Sequence, residues 1–347
     1  MEKVNLRGFT IEEMKNFAVE AGEKPFRGKQ LFKWVSRGIT DFALMTDFSL
    51  TFRAELNERA YIGGVKAIDA QTDEHDGTKK ILFELEDGNG VECVFMKYRY
   101  GNSLCISSQV GCKMKCTFCA SALGGFVRNL SAGEMLAQIS EAERVTGASV
   151  NHIVVMGMGE PFDNYENLKR FLEIIHHPDG KNLSYRNITV STSGIIPVMK
   201  RFSDDFPQVN LAVSLHRLDN DGRSRIMPVN RVYPLKELLS AAKEYTERTG
   251  RRITFEYTLI AGENDGRKDV ELMKDMLSDI LCHVNLIPLN HVDESCMIGS
   301  SRKRASEIAK ELNEAGIPAT VRRELGNEID GACGQLRLKK LLPCQTT

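Results

Sequence analysis

Three cysteines, Cys112, Cys116 and Cys119, follow one another at CxxxCxxC spacing. Three thiolates on a short loop can hold three irons of a cubane cluster and leave the fourth iron open, whereas closed structural sites use four protein ligands. The open iron is a position where a substrate or cofactor can bind. A zinc site that borrows Cys105 or Cys93 as fourth ligand is the alternative, but zinc modules usually bring paired CxxC knuckles and no second pair occurs here.

Three further residues could carry chemistry, although each also has an ordinary structural explanation. Cys333, between small residues in GACGQ, is by itself typical of a buried small hydrophobic residue. Cys105 lies seven residues before the cluster and could pack under a strand or serve as a ligand. Glu92, in the apolar run VECVFMK, is by sequence alone an outward-facing strand residue, but a carboxylate in apolar surroundings also suits proton transfer.

The segment from Gly157 to Pro161 reads GMGEP and follows an apolar strand pattern. Glycines at a strand end let the backbone approach a neighbour or ligand closely, so this segment is a candidate binding loop.

The cysteine spacing, with Phe118 before the last cysteine, resembles the radical S-adenosylmethionine (SAM) superfamily. Longer stretches narrow the resemblance to the RlmN/Cfr family of RNA adenine methyltransferases, and they are CISSQVGCKMKCTFC, MGMGEPFDNYEN, STSGIIP, AVSLH, RRITFEYTLIAGENDG, VNLIPLN and EIDGACGQL. The similarity extends from the N-terminal region to Leu336. It implies a 4Fe-4S cluster whose open iron is chelated by SAM.

The resemblance also implies roles for individual residues. The cluster ligands would be Cys112, Cys116 and Cys119, and the SAM pocket would be formed by Gly159, Glu160, Ser191, Ser214, Leu215, His216 and Asn290. Cys333 would carry the methyl group, Cys105 would resolve the covalent RNA intermediate and Glu92 would accept the ring proton. The remaining cysteines, Cys93, Cys282, Cys296 and Cys344, match no motif and are expected to be packing residues.

The implied reaction methylates a carbon that has no nucleophilic lone pair. One SAM would methylate Cys333, and a second SAM would be cleaved reductively to a radical that activates this methyl group for addition to adenine. Attack by Cys105 would then release the product and leave a Cys105–Cys333 disulfide, which an external reductant must reopen.

The resemblance implies RNA as the partner, together with an electron donor and a disulfide reductant. The target would be C2 of adenosine in 23S ribosomal RNA and, for some members, the adenosine next to the tRNA anticodon; the base must leave its stack to reach the active site. Candidate phosphate contacts are Lys24, Arg27, Lys29, Lys33 and Arg37 near the N-terminus and Arg322, Arg323, Arg337, Lys339 and Lys340 near the C-terminus. A solvated helix face explains the N-terminal set equally well.

Two alternatives remain at this point. A Cfr-type enzyme that methylates adenosine C8 shares the mechanistic cysteines, but GMGEP rather than GMGEA favours C2. A noncatalytic, metal-stabilised RNA-binding protein is the more distant alternative.

The candidate site residues lie near predicted strand ends, so the fold must bring these ends together. Strand patterns at residues 104–107, 152–156, 188–191, 210–214, 253–260, 284–287 and 319–321 alternate with amphipathic helices such as 131–145, 168–175, 235–245 and 305–315. This repetition predicts an α/β fold with a partial, (β/α)6-type TIM barrel, whose sites lie at the C-terminal strand ends.

The 347 residues allow more than one domain. We expect a small helical RNA-binding domain at 1–75, a β-hairpin extension at 76–98, the catalytic core at 99–336 and a basic tail at 337–347. Capping boxes at Thr10/Glu13 and Ser131/Glu134 predict helix starts. With 42% hydrophobic and 27% charged residues, no run of ~18 apolar residues and no signal-peptide pattern, we expect a cytoplasmic protein that does not use a membrane. We also expect it to be a monomer.

Overall fold

The computed structural model describes residues 3–289, 297–323, 325, 326 and 329. It begins with a small helical unit whose elements are β1 (Val4–Asn5), α1 (Ile11–Glu20), α2 (Pro25–Ser36), α3 (Leu50–Arg59) and β2 (Ala60–Tyr61). The predicted capping box starts α1, because Thr10 accepts from the Glu13 amide and the Glu13 carboxylate accepts from the Thr10 amide. This unit has an apolar core of its own, which includes Leu31, Phe32 and Phe52.

The rest of the described chain forms one large sheet with helices along it. In chain order, its elements are β3 (Lys66–Thr72), β4 (Lys79–Glu84), β5 (Gly90–Tyr98), β6 (Gly101–Cys105), β7 (Gln109–Gly111), α4 (Ala120–Leu123), β8 (Phe126–Asn129), α5 (Ala132–Thr146), β9 (His152–Val155), α6 (Tyr165–His176), β10 (Ile188–Thr192), α7 (Ile196–Asp205), β11 (Asn210–Ser214), α8 (Asn220–Ile226), α9 (Leu235–Thr249), β12 (Ile253–Leu259), α10 (Arg267–Leu277), β13 (Cys282–Pro288), α11 (Arg302–Glu314) and β14 (Ala319–Val321). Of the described helices, none has the length and apolar composition that a bilayer crossing requires.

The ten strands of the sheet follow the order β14-β13-β12-β11-β10-β9-β6-β5-β4-β3. From β6 to β14 neighbouring strands are parallel, and at least one helix connects each strand of this set to the next. Six successive strand–helix units of this kind confirm the predicted partial barrel. At the other edge β3, β4 and β5 are antiparallel; the predicted hairpin is β4–β5, and β3 extends the sheet beyond it.

Successive side chains along each strand point to opposite faces of the sheet, so that one set faces the apolar core and the other faces the barrel interior. Leu104, Ile153, Val190, Val213 and Phe255 are fully buried in the main apolar core, to which the helices also contribute. Their neighbours in sequence point to the opposite face, and this face therefore carries the shorter and more polar side chains that can form a site.

Candidate active site

The cysteine loop begins where β7 ends. Gly111 has a φ of +74°, and a Cβ at this position would lie 1.7 Å from the carbonyl oxygen of Gly125, so only glycine permits the β7–β8 hairpin to close here. The Cys112 amide donates to the same Gly125 oxygen at 3.1 Å. On the far side of the loop, the Thr117 amide donates to the carbonyl of Ile226 in α8 at 3.0 Å. The loop is thus attached to both the hairpin and α8.

The three thiols of this loop are close enough to influence one another's ionisation. Burial, and then the nearby Cys119, raise the pKa of Cys112 to about 12, and burial with the neighbouring thiols also raises the pKa of Cys116. Three thiolates could not remain charged together here without a positive group between them. An iron cluster supplies such a group, so the donor set fits a cubane cluster held by three cysteines.

Within the described ranges, no three His, Cys, Asp or Glu side chains converge on one point as ligands of a single metal ion must. Cys93 and Cys105 lie in these ranges, so the arrangement does not favour a zinc site completed by either of them. Thiolates that bind separate irons of a cluster need not converge in this way.

The GMGEP segment follows the end of β9 and contacts the end of β10 through Glu160. Gly159 has a φ of +106°, and a Cβ there would lie 2.6 Å from the Gln109 side chain. The close approach permitted by this glycine is therefore made to β7. Glu160 is 3% exposed; its carboxylate accepts from the Ser193 amide at 2.6 Å and the Phe162 amide at 3.0 Å, while burial raises its pKa.

Two of the predicted pocket residues, Ser191 and Ser214, lie half-buried on the interior-facing side of β10 and β11. Leu215 differs from them, since its side chain is fully buried in the apolar core and only its backbone lies at the strand end. Its amide and that of His216 both donate to the carbonyl of Glu256.

His216 has a φ of +55° and a ring that is 5% exposed. The Thr258 amide donates to its Nδ1 at 3.0 Å, so the proton of the neutral ring is on Nε2. Burial lowers the pKa of His216 to about 3, which keeps the ring neutral at physiological pH. The ring meets Phe118 edge-on at 4.9 Å between centroids, and it therefore links the β11 end to the cysteine loop.

Cys105 and Glu92 lie on the same face of neighbouring strands. Cys105 pairs with Val94, two residues along β5 from Glu92, and both Cys105 and Glu92 are buried. The Ser107 hydroxyl also donates to the Glu92 carbonyl at 2.7 Å. The Glu92 carboxylate lies 3.0 Å from the Lys80 ammonium, so the expectation from sequence alone that Glu92 faces outward is wrong. The predicted site residues Asn290 and Cys333 lie outside the described residues.

Comparisons with known proteins agree with this geometry. The family model of the ribosomal RNA large subunit methyltransferase N-terminal domain matches residues 4–62, and that of the radical SAM superfamily matches residues 106–277. A protein from Caldanaerobacter subterraneus subsp. tengcongensis, named probable dual-specificity RNA methyltransferase RlmN, is 49% identical over 97% of this chain and 98% of its own length. The chain belongs to the RlmN family.

Another relative with the same name, from Alkaliphilus oremlandii, is 48% identical and covers 98% of this chain and 99% of its own. The crystal structure of a radical SAM methyltransferase from Sphaerobacter thermophilus superposes with a TM-score of 0.90 at 42% identity, over 96% of this chain and 98% of that one. Membership of the radical SAM superfamily gives this RlmN family chain its cofactors, a 4Fe-4S cluster and SAM.

Several residues of the site were not found from the sequence. Lys80 could have been found, because a β4–β5 pairing across the Asp87–Gly90 turn puts it on the same face as Glu92. Arg223 had no such signal, since α8 has little apolar periodicity and three of the four guanidinium contacts are to backbone carbonyls, which no residue type marks in the sequence.

The basic residues of the N-terminal unit are largely engaged within the protein. Lys29 and Lys33 form ion pairs with Asp179 at 3.0 and 3.2 Å, and Arg27 pairs with Glu23 at 3.8 Å. These contacts favour the structural interpretation for these three residues over RNA binding. Arg322 and Arg323 are exposed, whereas Arg337, Lys339 and Lys340 lie outside the described residues.

Proposed function

We propose that this chain is a dual-specificity RNA methyltransferase that methylates C2 of adenosine in 23S ribosomal RNA and the adenosine next to the tRNA anticodon. The observation that carries the proposal is the near-complete alignment with relatives of that name, which covers 97% and 98% of this chain. RNA is accordingly the partner, with an external electron donor and disulfide reductant, and we place the enzyme in the cytoplasm as a monomer.

In this proposal Cys112, Cys116 and Cys119 hold the cluster. When bound, the cluster and SAM supply the carbon radical that an unreactive ring position requires. Gly159, Glu160, Ser191, Ser214, Leu215, His216 and Asn290 form the SAM pocket. The neutral His216 ring, with its proton on Nε2, would donate a hydrogen bond toward SAM without adding a charge.

Two cysteines and one carboxylate complete the reaction. Cys333 would carry the methyl group, and Cys105 would break the bond between the Cys333 sulfur and the methylated base by forming a disulfide with that sulfur. Glu92 would accept the ring proton. Support comes from the shared face of Glu92 and Cys105, because a proton acceptor at Glu92 would then act on the same side of the sheet as a resolving thiol at Cys105.

The choice of adenine C2 over C8 as the methylated carbon is based on the RlmN branch of the family. The relatives named above carry the RlmN name, and the chain has GMGEP rather than GMGEA, so adenosine C8 is not the favoured target.

The decisive experiment is nucleoside mass mapping of unmodified 23S RNA and tRNA after incubation with the enzyme, labelled SAM and reductant. We expect 2-methyladenosine in both RNAs. Label only in 8-methyladenosine would move the chain to the other branch, and absence of label in tRNA would restrict the enzyme to ribosomal RNA. A sample with ~1 zinc and no SAM cleavage would indicate the noncatalytic alternative.

A further inference from the structure

Arg223 is a fully buried arginine that pairs with no carboxylate among the described residues. Its relative exposure is 0%, and its guanidinium makes four hydrogen bonds, all to neutral acceptors. These acceptors are the carbonyl of Leu215 at 3.2 Å, the side-chain oxygen of Asn230 at 2.9 Å and the carbonyls of Ser193 and Ser214 at 2.9 Å each.

A buried charge without an opposite charge is costly, even when every donor is satisfied. Burial lowers the pKa of Arg223 to about 10, so the guanidinium still carries its charge at neutral pH. The four neutral acceptors explain its geometry but not why the position holds a cation. A neutral side chain with an amide N–H group could donate to some of these oxygens at a lower desolvation cost.

Two contacts place the cysteine loop next to Arg223. Arg223 donates to the Leu215 carbonyl at 3.2 Å, and the ring of the next residue, His216, meets Phe118 of the loop at 4.9 Å between centroids. One turn further along α8, the Ile226 carbonyl accepts from the Thr117 amide at 3.0 Å. Helix α8 therefore contacts the loop through its backbone, and its buried positive charge lies at the strand ends next to this loop.

We propose that Arg223 is a positioning residue that supplies the buried positive charge for the cluster-binding loop and holds this loop against the ends of β10 and β11. The inference rests on the proposed cluster site. Reduction adds negative charge to a cluster, and a nearby fixed cation stabilises the reduced form. Arg223 thus raises the reduction potential at which the enzyme can receive its electron.

The test is an anaerobic redox titration of the reconstituted full chain, with the reduced cluster followed by electron paramagnetic resonance. Arg223→Gln removes the charge, whereas Arg223→Lys retains it without the forked geometry. Asn230→Asp keeps the guanidinium and places a carboxylate on its Nη1, which offsets the charge. Arg225→Gln is the matched control, because Arg225 is exposed on the same helix and water screens its charge.

We expect a more negative potential in Arg223→Gln and Asn230→Asp, a smaller shift in Arg223→Lys and none in Arg225→Gln. Loss of iron from Arg223→Gln with retention in Arg223→Lys would also support the proposal. The proposal would be overturned if iron-loaded Arg223→Gln and Asn230→Asp both had the reduction potential of the wild type. It would also be overturned if both Arg223 variants lost iron while the reduction potential of Asn230→Asp stayed unchanged. Failure of the wild-type chain to bind ~4 iron would instead overturn the cluster site itself.

Discussion

The Glu92 carboxylate lies 3.0 Å from the Lys80 ammonium, although the two side chains are only 3% and 0% exposed. Lys80 pairs with Val94 across β4 and β5, so it is the diagonal neighbour of Glu92 on the same face. Attraction between the two charges offsets part of the cost of their removal from water. The pair therefore fixes the proposed proton acceptor on the face that also carries Cys105.

Removing one member of this pair should destabilise the protein strongly. Lys80→Met leaves a buried carboxylate without this cation and should lower the free energy of unfolding by about 3–5 kcal/mol, measured by urea unfolding of the apoprotein. The double variant with Glu92→Leu should recover part of the loss. Lys310→Met is the control; its pair with Glu314 is exposed, so we expect a change below ~1 kcal/mol. Additive losses in the double variant would mean that the two residues do not act as a pair.

Cys112→Ala, Cys116→Ala and Cys119→Ala should each abolish formation of 5′-deoxyadenosine from SAM, because each removes a proposed iron ligand. The measurements are iron content and product analysis after anaerobic reconstitution. Cys282→Ala is the control, since Cys282 is buried in the apolar core and should affect stability alone. Near-normal cleavage in any of the three loop variants would contradict the ligand assignment.

Cys105 and Cys333 should give different phenotypes although both variants lose turnover. Cys333→Ala has no sulfur to carry the methyl group and should form no covalent RNA species. Cys105→Ala should accumulate a nuclease-sensitive protein–RNA crosslink, because the thiol that releases the product is missing. A denaturing gel reports both outcomes. The division of roles would be refuted by RNA methylation in Cys333→Ala, or by SAM cleavage without a crosslink in Cys105→Ala.

The buried His216 should make the fold sensitive to acid. Its pKa is about 3 in the folded protein against an ordinary value of 6.5, so between these values the unfolded chain binds more protons and stability falls as pH decreases. This contribution has a limiting slope of about 1.4 kcal/mol per pH unit. In His216→Gln the stability between pH 7 and pH 4.5 should decline less steeply than in the wild type. His283 is half-buried and its pKa is also lowered, so His283→Gln is the control and should show a smaller effect. If the curves of stability against pH were parallel for the wild type and His216→Gln, the prediction would be wrong.

Asp76 should hold the backbone at Gly326 in place. One oxygen of its carboxylate accepts from the Thr78 amide at 2.8 Å within the turn, and the other accepts from the Gly326 amide at 3.0 Å. Asp76→Ala should therefore accelerate hydrogen exchange around residue 326 by at least severalfold, measured by mass spectrometry. Glu74→Ala, an exposed change in the same turn, should leave this exchange as in the wild type. Equal exchange in the two variants would show that the Asp76 contact does not hold the segment.

Much of the architecture was determined by local sequence patterns. The strand at residues 210–214 and the capping box at Thr10 are present as predicted, because strand alternation and helix capping depend on neighbouring residues in the chain. The CxxxCxxC spacing likewise defines its chemistry locally, since three thiols on one loop need no distant partner to bind a cluster.

Only the tertiary structure decided how distant residues are paired. Whether Glu92 faces solvent or the interior depends on which elements cover each face of the sheet. The structure shows that Glu92 is buried, in an ion pair with the buried Lys80. The proposed role of Arg223 depends on its hydrogen bonds to carbonyls at two strand ends. It also depends on the contact between α8 and a loop about a hundred residues earlier in the chain. These contacts join elements far apart in sequence, and their energies depend on burial, which a linear pattern of residues does not specify.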